Sequence, residues 1–240
     1  MLLALALPAL AVDHTALQKV YDANLANGKV NYANIKAHPE DLQAYLKVVQ
    51  TTPLASLAGD EKKAFLINAY NAYTIETIVT NYPLDSIMKL DGGKVWDTRK
   101  FNVGGVQMTL NQIENDNLRK TGDPRIHAAV NCASLGCPPL SPKVFTAQGL
   151  DGQLDAAAKR WASTQKVTPT EVVVNKIFDW YGDDFTAKYG ATYFDVPGLD
   201  GKAEAAVNFV SKYAPDKAEM LKKGGYTVTF GEYSWALNKQ

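Results

Sequence analysis

Both cysteines of this 240-residue chain lie in one short segment, and a histidine precedes them by a few positions. The three residues are His127, Cys132 and Cys137. A thiol and an imidazole can carry out nucleophilic catalysis together, because a neutral thiol is a weak nucleophile and needs a base or a cation to become a thiolate. Two cysteines so near in sequence can also join in a disulfide. The segment therefore predicts a reactive centre or a cross-link, and the residues alone leave both open.

The spacing of the histidine and the first cysteine restricts the catalytic interpretation. Residues 125–130 are apolar enough to predict a short buried strand. Side chains alternate along a strand, so His127 and Cys132 would face opposite sides if the strand were unbroken. The two can meet only if the strand ends near Asn131 and the chain turns at Cys132. Small residues that follow, Ala133 among them, permit such a turn.

The most apolar helix that the sequence predicts spans residues 60–82. Apolar side chains leave little polar surface on it, which is typical of a helix at the centre of a core. Asp60 is placed to cap its first turn. Asn68 and Asn71 lie three positions apart and therefore on neighbouring parts of one face. Buried amides must be hydrogen-bonded, so these two either tie loops to the helix or point at a substrate.

A glutamate precedes the cysteine segment in a second predicted helix, residues 109–120. Two overlapping capping boxes mark the start of this helix, Thr109 with Gln112 and Asn111 with Glu114. Glu114 thus has a structural explanation. Its place in the chain also makes it a candidate partner for the histidine.

The remaining pattern predicts one α+β domain. Two helices come first, at about residues 13–26 and 40–49, strands are scattered later, and Gly104-Gly105 predicts a two-residue hairpin. Later helices are predicted at residues 148–164, 201–213 and 216–223, and strands at residues 171–175 and 226–230. We expect a single domain in which an N-terminal helical layer and the central buried helix pack on a small, mainly antiparallel sheet. No repeat or linker divides the chain, so residues 12–240 are expected to form one globular unit.

The first residues, 1–11, read as part of an export signal. Their apolar stretch is too short to span a bilayer and suits the hydrophobic region of a signal peptide. Ala9-Leu10-Ala11 fits an A-x-A cleavage site, although the usual preceding positive charges are missing. The alternative is a buried N-terminal helix. We expect a periplasmic or secreted protein, and in such a compartment two nearby cysteines can pair.

The charge balance argues against a nucleic-acid-binding protein. Lys plus Arg and Asp plus Glu both number 25, which gives a formal net charge of zero, and no basic cluster occurs. Motifs of nucleotide-binding loops, α/β-hydrolases and zinc proteases are absent, and we expect no cofactor. No later segment reaches transmembrane length. The expected partner is a small molecule or a peptide, with no nucleic acid and no membrane span in the mature chain.

Several motifs together resemble the domain-of-unknown-function family 547. The similarity runs from about residue 60 to the C-terminus, and bacterial members of the family resemble exported proteins, which agrees with the N-terminus. The most specific motif is RIHAAVNCASLGCPPL at residues 125–140. The others are FLINAYNAYTI (65–75), TLNQIENDNLR (109–119), IFDWYGDDF (177–185) and YSWALN (233–238).

The resemblance carries over to single positions of the chain. The residues that match the family's motifs are Glu114, Arg119, Arg125, His127 and Cys132. Where the family commonly has a histidine directly after the glutamate, this chain has Asn115. A role for a second imidazole at that place is therefore absent here.

One functional hypothesis is a thiol-dependent hydrolase or acyl transferase acting on a small amide, peptide or thiol compound. Cys132 would be the nucleophile, His127 the general base, and Glu114 the carboxylate that orients the imidazole or holds a substrate cation. Substrate-binding roles would fall to four further residues. Arg119 and Arg125 would hold a carboxylate, and Asn68 or Asn71 would donate to an oxyanion.

The other hypothesis is a non-catalytic periplasmic module that binds a small ligand or a protein. In it, Cys132 and Cys137 form a structural disulfide, and the proline pair that follows supports a rigid loop. Metal binding by these cysteines and His127 is a weaker third possibility, because the spacing lacks a C-x-x-C pair and a fourth ligand is missing. We therefore assign no metal-binding residues.

Overall fold

The structure is a computed structural model that describes residues 11–191, 196 and 198–240. The predicted signal segment lies almost wholly outside the described residues. Within them, the helices are α1 (Thr15–Asn24), α2 (Tyr32–Ala37), α3 (Glu40–Thr51), α4 (Gly59–Asn81), α5 (Val95–Thr98), α6 (Leu110–Ile113), α7 (Leu150–Ser163), α8 (Ile177–Trp180), α9 (Gly182–Tyr189), α10 (Gly201–Tyr213) and α11 (Pro215–Lys223). The strands are β1 (Leu25–Ala26), β2 (Lys29–Val30), β3 (Phe101–Val103), β4 (Val106–Met108), β5 (Lys166–Val167), β6 (Glu171–Val174) and β7 (Thr227–Phe230).

The strands form three small sheets within the described residues. β1 with β2 and β3 with β4 are antiparallel pairs, and β5, β6 and β7 form a three-stranded sheet in that order. In the larger sheet β5 pairs with β6 antiparallel, whereas β6 pairs with β7 parallel. A parallel pair needs a long crossover, which here contains α8 to α11. The predicted α+β class with mainly antiparallel pairing is confirmed, but the strands form three small sheets where one was expected.

Helix α4 is the centre of the core, as its apolar sequence predicts. Its side chains from Ala64 to Ile75 are all buried. The N-terminal helices α2 and α3 pack on it, and α6 contacts it as well. Because α6 leads directly into Glu114, the central helix fixes the position of one candidate site residue.

A cluster of aromatic side chains joins the later helices. The Trp161 indole on α7 stacks on Phe178 of α8 at a centroid distance of 4.4 Å, and Phe185 of α9 and Phe209 of α10 pack around the pair. Such ring contacts add about 0.5–1.5 kcal/mol each to the burial of apolar surface. The cluster thereby holds α8 and α9 in place, and these two helices carry further residues of the site.

The predicted strand at residues 125–130 is wrong. Residues Pro124–Ala128 form a 3-10 helix, which the Asp123 carboxylate caps by accepting the backbone N–H of Arg125. Proline at the first helical position is favourable because it has no N–H to leave unpaired. The strand argument against an encounter of His127 and Cys132 therefore does not apply.

Other details also differ from the predictions. Asp60 is not the cap of α4, since Ala58 occupies the capping position and Asp60 lies in the first turn. There its charge still interacts favourably with the helix dipole. Helix α2 was not predicted, and the Asn31 side chain caps it by accepting the N–H of Asn34.

Among the described residues, no helix has the length and apolar character needed to cross a membrane.

Candidate functional site

One pocket of about 280 Å³ brings the candidate residues together. Glu114, His127, Cys132 and Cys137 all line it. Six of its lining residues are aromatic, namely Tyr70, Trp96, Trp180, Tyr181, Tyr233 and Trp235. A concave site with an apolar wall and a few converging polar groups is the usual form of a small-molecule site.

The position of Glu114 follows from a change of helical geometry. The capping box of Thr109 and Gln112 starts α6 as predicted, and the helix then widens into a π-helical turn at Glu114–Leu118. The second predicted capping box does not form, because Asn111 lies inside α6, whose cap is Thr109. The Asn111 amide donates to the Asp97 carboxylate. Glu114 is therefore free of a capping role, and its buried carboxylate lies 3.6 Å from Nδ1 of His127.

His127 is enclosed by aromatic rings and lies between two carboxylates. Its imidazole stacks on Tyr181 at a centroid distance of 4.2 Å, and only 2% of the residue is exposed. Nε2 lies 2.8 Å from Asp184 Oδ2, opposite the contact of Nδ1 with Glu114. Arg119 donates to both oxygens of the same aspartate, at 2.7 and 2.9 Å. Charges of alternating sign thus lead from Arg119 inward to Glu114.

The two carboxylates favour the protonated form of this histidine. Burial alone would lower the pKa of His127, but the hydrogen bonds to Asp184 and Glu114 raise it above its ordinary value of 6.5. Burial likewise opposes the shift of Asp184, whose pKa the bonds from His127 and Arg119 hold well below its usual range. The imidazole is therefore better suited to carry a charge than to remove a proton.

This arrangement predicts a pH-dependent stability. A histidine whose pKa is raised on folding stabilises the fold below pH 6.5, and that contribution is lost as the pH rises through the raised pKa. We expect the free energy of unfolding to fall above pH 6.5 by at most about 1.4 kcal/mol per pH unit. Urea unfolding between about pH 6 and pH 9 should show this slope in the wild type and not in His127→Gln. Equal slopes in the two proteins would contradict it.

The two cysteines lie in the pocket wall with their sulfur atoms at disulfide-bonding distance and their Cα atoms 6.3 Å apart. The Tyr233 hydroxyl lies 2.9 Å from Cys132 Sγ and donates to Cys137 Sγ at 3.2 Å. Cys132 Sγ also contacts the Ser134 hydroxyl at 3.3 Å, and the Cys132 N–H donates to Cys137 Sγ at 3.0 Å. The hydrogen-bond partners of the Cys132 sulfur are therefore hydroxyl groups and not His127.

Asn131 holds the cysteine loop in shape. Its side-chain oxygen accepts the N–H of Ala133 at 2.9 Å and an amide N–H of Asn238 at 3.1 Å, and its amide donates to Pro138 O at 2.9 Å. Ala133 has a left-handed backbone with φ of 60°, a conformation that costs about 1–2 kcal/mol for a residue with a Cβ. The surrounding hydrogen bonds keep the loop in this conformation.

The C-terminal segment pairs with the same loop and supplies Tyr233 and Trp235. The N–H of Leu135 donates to Ala236 O, and that of Gly136 donates to Ser234 O, both at 2.8 Å. These bonds hold the Tyr233 ring against Gly136 of the loop, where the Tyr233 hydroxyl contacts both sulfur atoms.

Replacing Gly136 with alanine is expected to displace the Tyr233 ring. A Cβ at this position would lie 2.8 Å from two ring atoms, so the variant should lose about 1–3 kcal/mol of unfolding free energy. Urea unfolding checks the effect. Gly152→Ala is the matched control, because a Cβ there meets no atom within 4 Å and the exposed helical site should gain about 0.5–1 kcal/mol. A stable Gly136→Ala would contradict the tight packing of the ring.

The structure gives Asn68 and Asn71 positions behind the pocket rather than in its lining. Asn68 donates to Phe145 O at 2.7 Å and accepts the N–H of the same residue at 3.0 Å. Asn71 donates to Ala129 O and accepts the N–H of Asn131, both at 2.9 Å. Both amides are therefore used in tying loops to α4.

The arginines also have partners outside the pocket lining. Arg125 forms ion pairs with Asp123, Asp151 and Asp155 at 2.7–2.8 Å. Asn115 accepts a hydrogen bond from Arg119 at 3.1 Å. Arg119 thus orients Asp184, and through it His127, rather than facing the pocket.

Within the part of the chain that the structure describes, no group of three or more His, Cys, Asp or Glu residues is arranged to hold a metal ion. What the pocket offers a ligand is instead an imidazole, a buried carboxylate, a sulfur pair and aromatic faces.

Several residues of the site were not identified as functional from the sequence, and three of these are Asp184, Tyr233 and Trp235. All three lie in motifs that carry the resemblance, IFDWYGDDF and YSWALN. The motifs were therefore a usable signal, but nothing in their spacing indicates contact with a histidine or a sulfur far away in sequence.

Comparison with known proteins gives a similarity to one family model. No curated protein and no solved structure matches the chain. The family model described as "Protein of unknown function, DUF547" matches residues 54–161, which contain α4, Glu114, His127 and both cysteines. Over these residues the chain is similar to the DUF547 family.

Proposed function

We propose that the protein binds a small organic ligand in this pocket and that the cysteine pair is a structural part of the pocket wall. The observation that carries the proposal is that Glu114, His127 and both cysteines line one pocket together with six aromatic side chains. Aromatic faces supply contact area for a ligand, and a few polar groups fix its orientation.

The surroundings of the sulfur atoms favour binding over thiol catalysis. A catalytic thiol needs a base within hydrogen-bond reach, whereas Cys132 Sγ contacts the hydroxyls of Ser134 and Tyr233. The imidazole of His127 has a carboxylate near each ring nitrogen. Neither residue is thus arranged for proton transfer to the other.

A thermal-shift screen of small metabolites tests the proposal. A ligand at 100 times its dissociation constant stabilises a protein by about 2.7 kcal/mol, which for a chain of this length raises the melting temperature by about 5–10 °C. We expect such compounds for the wild type and a much smaller shift in Trp235→Ala. Leu135→Ala is the control, because Leu135 is exposed and lies outside the pocket lining. No active compound, or equal shifts in all three proteins, would contradict the proposal.

The second candidate function is the thiol-dependent hydrolase or acyl transferase. It is supported by the presence of Cys132 in the pocket wall and of a hydroxyl 2.9 Å from its sulfur, a donor that would stabilise a thiolate. Intact mass after alkylation without reductant distinguishes the two candidates. Two labelled thiols, with an amidase or esterase activity that Cys132→Ala abolishes, would favour catalysis. An unlabelled protein two hydrogen atoms lighter than the reduced chain would favour the structural pair.

We also propose that the protein is exported to the periplasm or secreted. The apolar segment at residues 1–11 and the sulfur pair at bonding distance support this, because disulfides persist in oxidising compartments. N-terminal sequencing of the protein from the native cell should begin near Val12. A native chain that begins at Met1 in a reducing compartment would contradict export.

A further inference from the structure

The charges in the pocket are unevenly distributed. Asp97 and Glu114 contribute carboxylates and His127 an imidazole, while no lysine or arginine is among the described lining residues. Two carboxylates and one imidazolium leave one negative charge even when the histidine is protonated. Arg119, which packs over the ring of the lining residue Tyr181, is paired with Asp184. The pocket therefore favours a positively charged ligand over an anionic one.

The aromatic wall also suits a cation. Trp235 lies at its centre, with ring centroids 5.6 Å from Trp96, 6.0 Å from Trp180 and 4.6 Å from Tyr233. The Trp180 residue is 47% exposed, an unusual state for so large an apolar side chain. The faces of such rings carry negative potential and attract ammonium groups, with tryptophan the strongest.

Glu114 supplies a buried negative charge at the inner end of this wall. The residue is 5% exposed and lines the pocket. Burial raises the pKa of Tyr70 and of Tyr181, and the nearby Glu114 carboxylate raises both further. A carboxylate with few water molecules around it interacts strongly with a ligand cation, because the local dielectric constant is low.

We propose that the pocket takes a small alkylammonium compound, with the ammonium group between the Trp235 wall and the Glu114 carboxylate. The inference rests on the proposed ligand-binding function and specifies its ligand class. The apolar substituents of the ammonium group would contact the aromatic rings. The positive charge would offset the negative charge of the pocket.

Titration with matched probes tests the ligand class. Choline, tetramethylammonium and putrescine are the cationic probes, and 3,3-dimethylbutan-1-ol is the neutral compound with the shape of choline. Tryptophan fluorescence reports binding, since three of the four tryptophans line the pocket and Trp161 is buried against Phe178. We expect at least one cation to bind the wild type at least about tenfold more tightly than the neutral probe.

Two carboxylate variants locate the charge that is recognised. Glu114→Gln should weaken binding of the cation by about tenfold or more, and Asp97→Asn, at an exposed position less prone to affect folding, should weaken it less. Asp116→Asn is the control, because Asp116 is exposed and outside the pocket lining. Circular dichroism confirms that each variant is folded.

The outcomes separate this inference from the broader proposal. Equal affinity for choline and its neutral counterpart, or an unchanged affinity in both Glu114→Gln and Asp97→Asn, overturns the ammonium assignment and leaves a ligand pocket. So does the absence of cation binding when another class of compound raises the melting temperature. If no compound of any class binds, both proposals fail.

Discussion

Replacing Asp184 with alanine should lower the free energy of unfolding by about 3 kcal/mol. The carboxylate is 2.8 Å from Nε2 of the buried His127 and pairs with Arg119 at 2.7 Å. Removing it leaves the buried His127 imidazolium without its closest carboxylate. It also leaves the partly exposed Arg119 guanidinium without its ion-pair partner. Removing one partner of a fully buried ion pair costs about 3–5 kcal/mol. The lower value is expected here because the Asp184 side chain is 23% exposed. Urea unfolding at pH 6, where the histidine is charged, measures the effect.

The neighbouring Asp183 provides the control for that measurement. It is exposed in the first turn of α9, so its alanine variant loses only a favourable interaction with the helix dipole, about 1 kcal/mol or less. If the two variants lose similar amounts of unfolding free energy, the contacts of Asp184 with Arg119 and His127 do not stabilise the fold by the expected amount.

The second large effect is expected at Asn131. Its replacement with alanine should lower the free energy of unfolding by about 4 kcal/mol. The substitution leaves Ala133 N–H, Pro138 C=O and the Asn238 amide without their partner in a buried loop. Each buried group left unsatisfied costs about 1–3 kcal/mol. Because the loop carries both cysteines, the variant should also lose ligand binding while it remains folded at low temperature.

Asn81→Ala is a suitable comparison, since its amide donates to Thr77 O in its own helix at 2.7 Å. That substitution should cost about 1 kcal/mol or less. A loss at Asn131 no larger than at Asn81 would show that the loop is held by other contacts.

Local signals in the sequence predicted much of the fold. Helices α3, α4, α7, α10 and α11 lie within a few residues of the predicted segments, because apolar periodicity determines which face is buried. The hairpin at Gly104-Gly105 joins β3 and β4 as expected, and the capping box at Thr109 is present. In these elements the sequence pattern and the tertiary structure favour the same conformation.

The cysteine region was harder to predict because short apolar runs do not distinguish strand from helix by periodicity. Asp123-Pro124 is a helix-start signal, and its preference prevailed over the strand-like residues that follow. Likewise, Glu114 fitted a capping box in the sequence, but the tertiary contact with His127 replaced that role.

Only part of the candidate site could be predicted from the sequence. The predicted part consists of residues that are close in sequence and that all line the pocket, namely Glu114, His127 and Cys132. Asp184 and Tyr233 reach the same place through α9 and through pairing of the C-terminal segment with the cysteine loop. Such long-range contacts depend on how helices pack, which a local pattern does not specify.

A crystal structure of the protein with the strongest compound from the thermal-shift screen tests the central claim most directly. We expect ligand density in the pocket of about 280 Å³, against Trp235 and within contact distance of Glu114, with Cys132 and Cys137 joined in the wall. Density at another surface, or a covalent adduct on a free Cys132, would contradict it.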